Sequence, residues 1–227
     1  MSSTSPSSPT SPSGGPGRAG AGPVADPRDP RPLTGEPLSL DLLNTRWSTP
    51  VNDLLTGLDG YRIWLSSAGL ADRCGADGAG LAATLAARSA LAAVIGPLVA
   101  QDPAQDPAQG SAQGSAQDPV QAVEPQPEAA AALNDVLRRG RIRRELGPAG
   151  PRESVEVDGP EWLAAWLAAA DCLELLRQGP HRIKQCAGHT CILYFFDTSQ
   201  NGRRRWCSMA ACGNRAKAAR HYERARG

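Results

Sequence analysis

The chain has 227 residues and a formal net charge of +1, from 24 Lys and Arg against 23 Asp and Glu. That length admits one ordinary domain, or a small domain joined to a metal-stapled module and some disorder. Aromatic residues are only 4% while Gly and Pro number 24 and 20, so a core must be built largely from Leu, Ala and Val. No run approaches the ~18 consecutive apolar residues of a membrane span. The Ser- and Pro-rich start lacks the basic head and apolar run of a secretory signal. The expectation is a cytoplasmic, reducing setting with no membrane partner.

Residues 1–34 carry almost no large apolar side chain and cannot offset the entropy of ordering, so a disordered leader without a site is expected there. Texture changes at Leu38, where Leu38-Ser39-Leu40-Asp41-Leu42-Leu43-Asn44-Thr45 sets apolar among polar residues. Asp41, Asn44 and Thr45 suit capping and local hydrogen bonding better than catalysis. After Asp53-Leu54-Leu55, the positions Leu58, Tyr61, Leu65 and Ala68 recur at helical spacing, with Gly69 as a stop. An Ala/Leu helix follows over 79–100, and Gly96-Pro97 is expected to bend or end it.

Residues 101–127 repeat Gln-Asp-Pro-Ala and Gln-Gly-Ser-Ala units too polar to pack, which predicts a disordered insertion inside a domain. Helical patterning resumes from Glu128 to Gly140. The stretches 141–146 and 153–158 then read as a hairpin, with Arg141, Arg143 and Arg144 on a solvated face. Pro160 opens a last body helix whose Trp162, Trp166, Ala169, Leu173 and Leu176 suit core packing, and Gly179-Pro180 ends it as a hinge. Cys74 and Cys172 read as ordinary thiols. The fold class expected is α+β: a mostly helical body over 35–179 with a small hairpin, then a small module over 180–227.

That module holds Cys186 and Cys191, fifteen intervening residues, then Cys207 and Cys212. Two cysteine pairs joined by such a loop fit one tetrahedral Zn2+, and a reducing setting disfavours the alternative of two disulfides. Four thiolates close the site, so His189 is expected in the outer shell or at the surface, and no water is held for hydrolysis. Between the pairs, 192–197 and 203–206 flank Asn201-Gly202 and predict a hairpin. Beyond Cys212 a helix is expected, with Lys217, Arg220, His221 and Arg224 on one face and Ala218, Ala219 and Tyr222 packing on the hairpin and Trp206.

Residues 181–227 carry ten Lys and Arg against two acids, leaving fourteen against twenty-one in the rest. A basic module on an acidic body suits a polyanion, because neutralising phosphates releases counterions. Arg203, Arg204, Arg205, Arg215, Lys217, Arg220, His221 and Arg224 are the candidate nucleic-acid contacts. Arg215 has the weakest claim, since it could instead bond carbonyls or a carboxylate such as Asp197. No Ser/His/Asp set, phosphate loop or open metal site is present, so an enzyme is not expected.

The blocks Phe195-Phe196-Asp197-Thr198-Ser199, Gly202-Arg203-Arg204-Arg205-Trp206-Cys207-Ser208-Met209 and Cys212-Gly213-Asn214-Arg215-Ala216-Lys217 resemble the CGNR zinc finger. Leu40-Asp41 and Asn44-Thr45, followed by Asp53-Leu54-Leu55 and a helix bearing Trp64-Leu65, resemble the ABATE domain that commonly precedes it. The pair implies a bacterial stress-related transcription regulator in which the finger contacts DNA and the body senses a small-molecule effector or forms a homodimer. The other reading is a zinc-stabilised protein-contact or ligand-binding module with no sequence-specific DNA binding. Oxidation of the four thiolates would release the ion, so redox sensing is a further expectation.

Overall fold

The structure, a computed structural model, describes residues 25–48, 50–100 and 125–226. The expected leader up to residue 24 and the insertion up to residue 124 lie outside the described residues. The body contains α1 (Leu38–Leu43), α2 (Leu58–Ser67), α3 (Gly78–Ala100), α4 (Pro127–Leu137) and α5 (Leu163–Gln178). Its strands form two ribbons, β1 (Arg46–Trp47) with β2 (Asn52–Asp53) and β3 (Gly140–Gly147) with β4 (Gly150–Val157). The finger adds β5 (Ile183–Gln185), β6 (Tyr194–Phe196) and α6 (Asn214–Arg226).

Helix α3 is the central column, packed against α1, α4 and α5. Ala83, Ala87 and Ala90 of α3 are buried, as are Ala164, Ala165, Ala168 and Ala169 of α5, which packs against it. Small side chains let two backbones approach closely. Bulk comes from Leu40, Leu42, Tyr61, Trp64, Leu65, Leu91 and Ile95, all fully buried. By length and composition α3 could span a membrane, yet about half of its most apolar stretch is buried inside the protein. The helix runs through Pro97 instead of ending there. That proline falls in the last turn, where little ladder remains to be broken.

Chain before position 35 already packs on the body. Residues 25–36 strap the outside of α1 and α2, and Arg31 has a fully buried side chain. Its guanidinium donates to Asp29 and, at 2.9 Å, to the Asp41 carboxylate. Asp41 also accepts from the Trp64 indole at 3.0 Å. Burial holds the Asp41 carboxyl above its usual range, against the pull of Arg31. Composition concealed the strap, because its anchors are charged residues that are buried only as a network.

Gly179 ends α5 with φ of +151°, but the joint is not a loose hinge. Ile183 and Phe196, from the finger's own strands, lie in the same apolar cluster as the body helices. At the other end of α5, Trp166 is buried and its indole donates to the Leu137 carbonyl at 3.0 Å. The half-buried Trp162 lies 4.8 Å from the Arg139 guanidinium.

Replacing Arg31 with Met leaves Asp29 and Asp41 buried without their cation, a change that costs about 3–5 kcal/mol when a buried pair is broken. Urea unfolding of Arg31→Met should show that loss. A midpoint equal to wild type would mean that the strap contributes nothing to the body.

Candidate metal centre and basic surface

Each ligand is placed by a different local device. Cys186 follows β5, and its N–H donates to the Leu193 carbonyl at 2.8 Å, which extends the β5–β6 ladder by one rung. The chain then turns tightly through Gly188 to Cys191. A Cβ on Gly188 would lie 3.2 Å from the Cys191 Cβ and 3.3 Å from the Cys212 sulfur, so any side chain would crowd the ligands. Cys207 ends an extended run, and Cys212 sits in a π-turn over Met209–Gly213 that opens α6. The Ser208 side chain caps that turn by accepting from the Ala211 N–H.

The four sulfurs lie within 4.8 Å of one another. Cys207 is 3.7 Å from Cys191 and 3.6 Å from Cys212, sulfur to sulfur. A tetrahedral Zn2+ with bonds of about 2.3 Å sets its thiolates about 3.8 Å apart, whereas a disulfide needs about 2.05 Å. The cluster therefore fits one structural zinc held by Cys186, Cys191, Cys207 and Cys212. His189 is exposed and outside that set.

Hydrogen bonds from the Cys191 and Cys207 thiols, then from backbone N–H groups of Cys207 and Gly188, hold Cys186 below the ordinary thiol range. The same thiol hydrogen bonds push Cys191 and Cys207 up. Four ionised sulfurs at this spacing need a cation among them. Arg215 adds to the outer shell by donating to the Cys212 sulfur at 3.1 Å, not to the carbonyls or Asp197 expected for it.

The hairpin differs from expectation. Strand β6 pairs with β5, upstream of the first ligand, with Ile183 opposite Phe196 and Gln185 opposite Tyr194. The run 203–206 forms no strand and joins through a side chain: the Arg204 N–H donates to the buried Asp197 carboxylate at 2.9 Å. Asp197 also accepts from the Ser199 N–H and hydroxyl, and Lys184 stands 3.3 Å away. Burial raises the Asp197 pKa, but these donors outweigh it and hold the group below the usual carboxylate range.

The basic residues divide into two sets. Arg204 does not stand free as a surface contact. Its guanidinium donates to the carbonyls of Trp206 and Cys207 at 3.0 and 2.6 Å and to Glu36, and it lies 4.2 Å from the Phe195 ring centroid. Arg182 likewise donates to the Asp197 carbonyl, and Lys184 to that of Gly202. Arg203 and Arg205 face outward, beside a cleft of about 490 Å³ that also takes in Trp206 and Met209. Lys217, His221 and Arg224 are exposed along α6, and the Arg220 side chain lies outside the described residues. The expected packing face of α6 is absent: Ala218 and Ala219 are exposed, and Tyr222 is 70% exposed.

Residues of the body motif that suggested only local capping reach further. The buried Asn44 amide donates to the Tyr194 carbonyl at 2.9 Å and accepts from the Tyr194 N–H at 2.8 Å, pairing with β6 as another strand would. Glu36 accepts from the Phe196 N–H at 3.0 Å. Thr45 accepts from Arg88, which also grips Asp53 through both carboxylate oxygens. The partners of Asn44 and Glu36 are backbone groups some 150 residues away, which leave no mark in sequence spacing.

Cys207→Ser removes the ligand at the centre of the sulfur cluster. Zinc content should fall from one equivalent to near zero, and the helical circular dichroism of α6 should fall with it, since metal binding and folding are linked in such modules. Retention of a full equivalent of zinc would mean that three sulfurs suffice.

Residues 182–225 match the CGNR zinc finger, and residues 36–179 match the ABATE domain, described as a putative stress-induced transcription regulator. A comparison with curated proteins finds no match. The ABATE match covers more than half of the chain and the finger follows it directly, so the chain belongs to the ABATE family and carries a C-terminal CGNR zinc finger.

Proposed function

We propose that the protein is a DNA-binding transcription regulator whose zinc-anchored α6 contacts DNA and whose body receives the regulatory signal. The observation that carries this reading is the bareness of α6. Its 13 residues include Arg215, Lys217, Arg220, Arg224 and Arg226 against the single acid Glu223, and every side chain described beyond Ala216 is exposed. A free helix of this length is marginal in water, so its stability must come from its root and from a partner. At 1.5 Å per residue α6 is about 20 Å long, and a helix of ordinary girth fits a major groove about 12 Å wide.

Arg203 and Arg205 supply further cations at the helix root, in reach of a phosphate backbone. Arg204, Arg182 and Lys184 build the finger and are not part of the contact surface. The family description favours regulation in response to stress. A second reading, a zinc-stabilised protein-contact module, draws on the exposed Tyr222 and Met209. The charge of α6 favours the nucleic acid.

The test is DNA binding by zinc-loaded and chelated protein across a salt series, with the protein's own upstream region set against random sequence. Zinc-dependent binding that prefers the upstream region is expected. Lys217→Ala with Arg224→Ala should weaken binding and reduce the salt slope by about two, since each phosphate contact contributes about one. Zinc content should be unchanged in that variant. Absence of binding at low salt by a zinc-loaded sample would turn the search to protein partners.

A further inference from the structure

A cleft of about 450 Å³ opens where the body meets the finger, bordered by Leu43, Arg46, Arg88, Ala92, Ile192 and Tyr194. Its size falls within the range of small-molecule sites, which favour seams of this kind. Leu43, Ala92 and Ile192 supply an apolar floor, and Arg46, Arg88, Ser89 and Tyr194 supply polar groups that are unequal in their commitments. Arg88 is fully engaged, at 2.7 and 2.8 Å from the two Asp53 oxygens and 2.8 Å from the Thr45 hydroxyl.

Arg46 is not so engaged. Its Nε lies 3.9 Å from the same Asp53 carboxylate, and its side chain is 55% exposed. Two guanidinium groups thus share one carboxylate, which leaves one unit of positive charge at the rim. Tyr194, half-buried as a residue, adds a hydroxyl with no hydrogen-bond partner among the described residues, although its backbone is held at both atoms by Asn44. A buried or half-buried polar group without a partner is a place where a ligand atom gains most.

We infer that this cleft binds a small organic carboxylate with an apolar body, and that this is the effector site of the regulator proposed above. The carboxylate meets Arg46, with one oxygen accepting from the Tyr194 hydroxyl, and the apolar body rests on Leu43, Ala92 and Ile192. Inorganic phosphate would satisfy the charge but leave that floor uncovered. An occupant touches both halves of the protein: Ile192 directly follows the ligand Cys191, and Leu43 directly precedes the Asn44 clamp.

The test is calorimetric titration of benzoate into the zinc-loaded full chain, with benzamide as the same shape without the charge. Saturable one-to-one binding of benzoate is expected, with benzamide at least tenfold weaker. Arg46→Ala should weaken benzoate at least tenfold and Tyr194→Phe a few-fold, both at unchanged zinc content. Because Arg46 is largely exposed, its loss should not disturb folding; if it does, Tyr194→Phe alone decides. No saturable benzoate uptake, equal affinity for benzamide, or affinity unchanged in the variants would overturn the site. No DNA enters this measurement, so failure to bind DNA would overturn the regulator reading and leave the carboxylate site standing.

Discussion

Four thiol sulfurs within 4.8 Å of one another cannot all lose their protons unless a cation replaces them. The whole C-terminal module depends on that exchange. Around the sulfurs its buried apolar side chains are only Leu193 and Phe195, because Ile183 and Phe196 pack into the body core instead. So small a core cannot offset the ordering of some forty residues. Metal binding is therefore folding for this part of the chain. The requirement explains the crowding around Gly188, the N–H of Cys207 aimed at the Cys186 sulfur at 3.3 Å, and the Arg215 guanidinium on Cys212. Arg215 answers the negative charge that two thiolates in excess of the dication leave behind.

Besides the packing of Ile183 and Phe196 in the body core, the finger is held to the body by recognition of its backbone. Asn44 presents an amide to β6 and offers one donor and one acceptor, as a neighbouring strand would, and Glu36 continues the edge by accepting from Phe196. An edge strand with unpaired groups is thereby closed without adding a strand. Glu36 also meets Arg204, and Arg204 ties Trp206 and Cys207. The strap that carries Glu36 is anchored by Arg31 on Asp41, and Asp41 holds Trp64 in the body core. A continuous series of charged and amide groups thus runs from the centre of the body to a zinc ligand.

What was legible in the sequence follows the range of each interaction. Helices α2 to α5 and the β3–β4 ribbon rest on local periodicity, and the metal ligands on a chemical identity that spacing preserves. The β5–β6 pairing was missed because it depends on Asp197: its carboxylate takes the Arg204 N–H that a β-hairpin over 203–206 would have given to a strand carbonyl. The strap was missed because Asp26, Asp29 and Arg31 look like solvated charge one at a time and become buried only together. Asn44 looked like a cap because a buried amide and a capping amide are the same residue in sequence.

The basic count of the finger shows the same limit and one way past it. The module holds ten Lys and Arg, but the chain consumes several of them to fold. Exposure alternates along 203–206, so Arg203 and Arg205 face solvent while Arg204 turns inward onto Phe195 and the carbonyls beside the metal. Lys184 is inward for a comparable reason, since Asp197 is fully buried and requires a charge partner. Apart from Arg215 on the Cys212 sulfur and Arg205 over the Trp206 ring, the cations on α6 and at its root have no such role among the described residues. With five Lys and Arg against one acid, and no packed face among its described side chains beyond Ala216, α6 carries a self-repulsion that an anionic partner would relieve. Its retention next to a metal-fixed N-terminus is what one expects of a surface whose counter-charge arrives with the partner.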